Sequence, residues 1–274
     1  MADHLLERVR REVRVEPGTP AELADRATGA TLGFEKARAP RDLAGLTERL
    51  HVLQNRLWAE DRRALLLVLQ GLDASGKDGT IRRVFTGLNP QGCRVVSFKA
   101  PTTTELDHDY LWRVHAVLPE RGSIGIFNRS HYEDVVTAQV LGVIDNERRR
   151  RRYAHIREFE RMLVDEGTAI VKVFLHIGKN EQRERLQARL DDPEKRWKFG
   201  RDDLDTRRRW DEYHALYEEA LSTTSTEWAP WHVVPADRKW VSANAVAALL
   251  VDQLEAMAPT VPAPADGLEN VVIE

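Results

Sequence analysis

The segment Ala64-Leu-Leu-Leu-Val-Leu-Gln70 runs directly into Gly71-Leu-Asp-Ala-Ser-Gly-Lys-Asp78, and this junction constrains the fold more than any other feature. A short, continuously apolar run reads as a strand buried on both faces of a parallel sheet. The octapeptide after it matches the glycine, glycine and lysine positions of a P-loop. A helical pattern follows from about Gly79, which is the context that a phosphate-binding loop needs. Glycines at 71 and 76 let the backbone around Ala74 and Ser75 turn its N–H groups toward phosphate oxygens, helped by the positive end of the next helix. Lys77 adds a point charge and is expected to stand exposed in the phosphate cleft. A glycine-containing turn without a ligand is the competing reading, and the strand–loop–helix context disfavours it.

Strand-like runs recur at 94–98, 123–127, 168–175 and 231–235. Helical patterns separate them at 42–61, 79–88, 105–117, 147–166, 181–190 and 241–257. This alternation predicts an α/β fold, a mostly parallel sheet covered on both sides. Residues 1–44, interrupted by Pro17, Pro20 and Pro40, read as an N-terminal arm, partly helical, packed on the body or loosely ordered. Residues 45–258 read as one domain, and 259–274 as a surface tail. The single Cys93 excludes a disulfide framework. The N-terminus lacks the apolar core of a secretory signal, and no run approaches membrane-spanning length. Cytoplasm is the default location. A net charge of −3 gives no general attraction to nucleic acid or membrane, so any polyanion must be held by local clusters.

Three features carry chemistry. Within the loop, Asp78 replaces the hydroxyl residue that ordinarily follows the P-loop lysine, and Asp73 adds a second carboxylate. Two carboxylates beside phosphates imply an intervening Mg²⁺; the lesser alternative, that Asp78 caps the following helix, does not exclude the metal role. After the third expected strand comes Asn128-Arg-Ser-His-Tyr-Glu-Asp134. In an α/β sheet this segment faces the P-loop at the carboxyl ends of the strands. Arg129 can neutralise a transferring phosphoryl group, and Glu133 or Asp134 can hold a metal or orient a nucleophile. His131 suits packing as well as catalysis. The third feature, Pro193-Glu-Lys-Arg-Trp-Lys-Phe-Gly-Arg201, reads as a basic closing lid spanning about 192–210. Lys195, Arg196, Lys198 and Arg201 can grip a polyphosphate chain; the alternative is a solvated face paired with nearby aspartates. The run Arg148–Arg152 points all round its helix and reads as surface and salt-bridge material rather than a binding site.

At these residues the chain closely resembles the second polyphosphate kinase family, through GLDASGKDGTIRRVF (71–85), DYLWRVHAVLP (109–119), IFNRSHYEDV (126–135), HIREFERML (155–163), EKRWKF (194–199) and APWHVVPADRKW (229–240). The form of residues 128–134 looks like the subgroup, class III, whose members phosphorylate both AMP and ADP. Other subgroups commonly carry Asp where Asn128 stands, so Asn128 is not assigned the usual metal-binding role.

The resemblance implies a P-loop kinase fold akin to thymidylate kinase, three-layer αβα with a helical lid. It implies reversible, Mg²⁺-dependent phosphoryl transfer between inorganic polyphosphate and adenine or guanine nucleotides, with Mn²⁺ as a substitute metal. By position, Asp73, Lys77, Asp78, Arg129 and Glu133 would form the catalytic and metal-binding set. Asp73, Asp78 and Glu133 would hold the metal, and Glu133 would favour AMP by organising metal and water in the place of the missing phosphate. A homodimer or homotetramer is the implied assembly. An ATP-dependent nucleotide or small-molecule kinase of the same fold, and a non-catalytic nucleotide-binding module, remain alternatives.

Overall fold

The computed structural model describes residues 2–266 and 273. In chain order its elements are α1 (Ala2–Val13), β1 (Arg14–Val15), α2 (Ala39–Glu60), β2 (Ala64–Gln70), α3 (Lys77–Phe85), β3 (Cys93–Ser97), α4 (Thr103–Leu106), α5 (Trp112–His115), β4 (Ile124–Asn128), α6 (Thr137–Val140) and α7 (Asn146–Asp165). They continue with β5 (Thr168–His176), α8 (Lys179–Asp191), α9 (Arg201–Arg208), α10 (Trp210–Thr224), β6 (Trp231–Pro235) and α11 (Lys239–Met257). Single 3-10 turns occupy Pro90–Gly92, His131–Asp134 and Arg196–Lys198.

The sheet has the order β1-β6-β5-β2-β4-β3, and every pairing is parallel except β1 with β6. Strand β2 lies between β4 and β5, and all seven of its residues are buried, as its unbroken apolar run requires. The loops after β2, β4 and β5 therefore open side by side at the carboxyl edge, where α/β sheets bind ligands. One face is covered by α1, α2, α3 and α11, the other by α7 and α10. Helix α11 is buried continuously from Val241 to Val251. Its small, apolar composition suits a helix wedged between the sheet and α2.

Three features differ from the sequence expectation. Residues 105–117 form two four-residue helices, because Asp109 accepts a hydrogen bond from the Leu111 amide and makes a turn between them. Helix α10 has no counterpart among the expected helices. The N-terminal arm supplies the sixth strand, too short to show a pattern, and Leu6, Val9, Val13, Val15, Leu23 and Phe34 are buried in the main core. Of the tail, Thr260–Asp266 is exposed; residues 267–272 and 274 lie outside the described residues.

His232 on β6 is buried with Nδ1 3.0 Å from the Lys172 carbonyl. Burial, with Arg14 and Lys172 nearby, pushes its pKa down to about 4. An unfolded histidine titrates near 6.5, so between those pH values the unfolded chain binds the additional proton and stability falls as pH falls. Urea titrations at pH 7 and pH 4.5 are expected to show His232→Gln losing about 2–3 kcal/mol less than the parent protein on acidification. Equal losses would show that His232 accepts the proton without unfolding.

Candidate active site

The P-loop owes its shape to residues that tolerate unusual backbone angles. Gly71 has φ +150°, and a Cβ there would meet Ser75 Oγ at 2.7 Å and the Leu175 carbonyl at 2.9 Å. Only glycine fits between β2 and β5 at that point. Ala74 is also held at positive φ, +64°. Lys77 begins α3, but it is buried rather than exposed, which corrects the sequence expectation. Its Nζ donates to the carbonyls of Gly71 (2.6 Å) and Leu72 (3.3 Å). Burial first, then Arg129, pushes its pKa down to about 8, against the pull of Asp73, Glu133 and Asp78.

Helix α8, which follows β5, clamps the same loop. Gln182 Nε2 donates to the Asp73 carbonyl at 3.0 Å. Arg185 donates from Nη1 to the carbonyls of Ala74 and Ser75, each at 3.0 Å, and from Nη2 to those of Ala236 and Asp237 at 2.6 and 2.9 Å. Its Nε pairs with Glu181. The whole planar fork is used. The sequence analysis assigned no role to Gln182 or Arg185. The available cue was their placement with Glu181 on one helical face directly after a buried strand.

Arg129 stands at the end of β4 with φ +62°, a costly angle for a non-glycine residue. It bonds Asp73 Oδ1 at 2.5 Å and Glu133 Oε2 at 3.4 Å. Glu133 also accepts from Thr137 Oγ1 at 2.7 Å, and the Gln70 amide lies between Ser130 and Glu133 Oε1. Glu133 foremost, with Asp73, holds the Arg129 pKa above its ordinary value despite partial burial. Asp78 is set apart: Asn128 Nδ2 donates to its Oδ1 at 2.7 Å. Asp73, Asp78 and Glu133 thus do not converge, and no group of three or more His, Cys, Asp or Glu among the described residues is placed to hold a metal ion. The donor chemistry of each carboxylate suits a hard cation such as Mg²⁺, which takes one or two carboxylates together with waters and substrate phosphates. Asp134 turns away to Arg113, at 2.9 Å, and His131 is buried beside Glu160.

A cavity of about 1210 Å³ opens beside Asp73, Arg129 and Glu133. Its far wall includes Lys99, Tyr110, Arg148, Arg151 and Arg152. The arginine run is therefore divided: Arg149 pairs with Glu219 and Arg151 with Glu147, as the salt-bridge reading expects, while Arg152 lies over the Tyr110 ring at 4.2 Å and lines the cavity, which that reading did not expect. The lid segment presents Asp202, Asp203 and Asp205 to the cavity. Lys195, Arg196, Lys198 and Arg201 do not line it. Lys195 pairs with Asp192, and Arg196 donates to the Leu190 carbonyl at 2.9 Å.

The family model for Polyphosphate kinase 2 (PPK2) matches residues 33–262. The chain belongs to the polyphosphate kinase 2 family. It is 52% identical over 266 residues to the AMP/ADP-polyphosphate phosphotransferase of Meiothermus ruber, covering 96% of this chain and 100% of that one. It is 47% identical over 227 residues to the ADP-polyphosphate phosphotransferase of Rhodopseudomonas palustris, covering 78% of each. The crystal structure of polyphosphate kinase 2 from Arthrobacter aurescens TC1 superimposes with a TM-score of 0.92 at 43% identity, over 96% of this chain and 94% of that chain. The P-loop kinase-like fold expected from the sequence is therefore the observed one.

Within this polyphosphate kinase fold, the Arg185 fork generates a direct expectation. Arg185→Lys cannot satisfy four carbonyls at once, so unfolding free energy should fall by about 2–3 kcal/mol. The P-loop should also loosen, lowering kcat/KM at least about 10-fold. Denaturant titration and steady-state kinetics on the same preparation check both. Unchanged kinetics with lowered stability would limit Arg185 to the scaffold.

Proposed function

We propose that the chain transfers the terminal phosphoryl group of inorganic polyphosphate reversibly to nucleoside mono- and diphosphates, making ADP from AMP and ATP from ADP. The observation that carries this reading is Arg129, a guanidinium bridging the P-loop carboxylate Asp73 to Glu133 at the mouth of a cavity large enough for a nucleotide. The names of its relatives, which act on AMP and ADP with polyphosphate, support the substrate pair.

In this reading the nucleotide occupies the cavity and the polyphosphate end lies over the P-loop. Lys77 and Arg129 draw the two anions together and balance charge on the group in transit. The attacking atom is already an anionic phosphate oxygen, so no side chain needs to remove a proton. Asp73, Asp78 and Glu133 would hold Mg²⁺, or Mn²⁺ in its place, jointly with substrate oxygens. When bound, that ion supplies further charge neutralisation. The rest of the polyphosphate chain passes the cations outside the cavity. Lys239 has a pKa lowered by burial, then by Arg185 and Arg83, with a smaller effect from Lys195. These charges therefore lie near one another. Arg196, Lys198 and Arg201 join Lys195 there as the lid moves.

Guanine nucleotides are included among the acceptors, and the working form is a cytoplasmic homodimer or homotetramer. Among the described residues, no helix is long and apolar enough to cross a membrane.

Incubation with polyphosphate and Mg²⁺, without ATP, is expected to turn ADP into ATP and AMP into ADP first and ATP later. Chelation by EDTA should stop both reactions. Turnover only with ATP as donor would favour an ATP-dependent kinase of the same fold, and ligand binding without turnover a regulatory module. Glu133→Asn should lose AMP use more than ADP use in parallel time courses. Equal losses would place Glu133 in the transfer step generally, through its bond to Arg129.

A further inference from the structure

Beneath the turn that carries Glu133 lies an ion pair that the transfer chemistry does not require. Lys172 on β5 and Glu160 on α7 are both buried, with Nζ donating to Oε2 at 2.6 Å. Burying such a pair is costly, and apolar residues of similar volume often serve a fold as well. Its remaining bonds are what distinguish it. The Tyr132 hydroxyl donates to Glu160 Oε1 at 2.9 Å, accepts from Lys172 Nζ at 3.1 Å and lies 3.0 Å from Thr224 Oγ1. Lys172 Nζ also donates to the Thr224 carbonyl at 2.7 Å, and His131 Nε2 lies 3.3 Å from Glu160 Oε1.

These partners connect two parts of the site. His131 and Tyr132 occupy the 3-10 turn between Arg129 and Glu133. Thr224 ends α10, the helix that follows the lid and puts Tyr213 into the cavity wall. Arg129 is held at φ +62°, and such an angle persists only where the surroundings over-determine it. Ser130 Oγ fixes the turn locally by accepting from the Tyr132 amide at 3.2 Å. The Tyr132 hydroxyl fixes it to the body.

We infer that Tyr132 is a positioning residue for phosphoryl transfer: its hydroxyl latches the turn bearing Arg129 and Glu133 onto the Lys172–Glu160 pair and onto the end of α10. The inference rests on the proposed role of Arg129 at the reacting phosphates. The ring of Tyr132 packs edge-on against Trp231, with centroids 4.8 Å apart, and Tyr132→Phe keeps that contact while deleting only the latch.

The test is steady-state kinetics with ADP and polyphosphate, well below the melting temperature. Tyr132→Phe is expected to lower kcat at least about 10-fold while both KM values change less than about 2-fold. Val246→Ala, a core substitution on α11, should lose stability without losing kcat. The double variant Glu160→Gln/Lys172→Met keeps an oxygen for Tyr132 and buries no charge, so its kcat should stay within about 3-fold of the parent value. Glu160→Leu/Lys172→Met lacks that oxygen, leaves the hydroxyl only Thr224 and should fall toward the Tyr132→Phe value. Parent-like kcat in Tyr132→Phe, or equal kcat in the two doubles, would overturn the latch. Should Tyr132→Phe fail to fold, the comparison of the doubles decides. Arg129→Ala separates the two levels: an inactive Arg129→Ala beside a fully active Tyr132→Phe removes only the latch. Full activity in Arg129→Ala removes the site assignment itself.

Discussion

The Arg129 guanidinium lies 2.5 Å from Asp73 and 3.4 Å from Glu133, and the electrostatics of the phosphate site follow from those two contacts. Three carboxylates stand near a place meant for highly charged anions. Arg129 neutralises two of them, and Asn128 takes up the third, Asp78, with a neutral donor. The reciprocal effect keeps Arg129 firmly charged. On the proposed reading, incoming phosphates would compete with Asp73 and Glu133 for this guanidinium and free carboxylate oxygens for a cation. The separation of Asp73, Asp78 and Glu133 is therefore compatible with metal that arrives with substrate.

A second constraint acts on the loop's carbonyl oxygens, which would repel phosphate if they faced it. Lys77 takes those of Gly71 and Leu72, Gln182 that of Asp73, and Arg185 those of Ala74 and Ser75. Every carbonyl from 71 to 75 is thus held by a side chain. The same Arg185 fork reaches Ala236 and Asp237, which ties the P-loop to the start of α11. The loop after β2 is thus bonded to the segments that follow β5 and β6.

Much of this was legible in the residues. The run Ala64–Gln70 marked a strand buried on both faces, and the spacing of Gly71, Gly76 and Lys77 marked the loop after it. Arg129 and Glu133 could be placed opposite because ligands gather at the carboxyl ends of parallel strands. What escaped has physical reasons. The strand Arg14–Val15 is too short for periodicity, and its pairing is made across more than two hundred residues of chain. Lys77 is buried with its Nζ turned back onto the Gly71 and Leu72 carbonyls, a conformation that no residue pattern encodes. Arg185 looks like any surface arginine until its carbonyl partners are in place. Of the cations expected in the lid only Arg201 lies on α9, and the sequence does not say which side of that helix meets the cavity; its aspartates do.

The central claim is direct transfer from polyphosphate to a nucleotide held by Arg129 and Lys77. It is tested most directly by following the phosphoryl group itself, with uniformly radiolabelled polyphosphate, unlabelled ADP and Mg²⁺. The account predicts that the terminal phosphate of the ATP formed carries the specific radioactivity of the polyphosphate, from the first turnovers and without release of free phosphate. Unlabelled ATP, or label appearing only as inorganic phosphate, would contradict it.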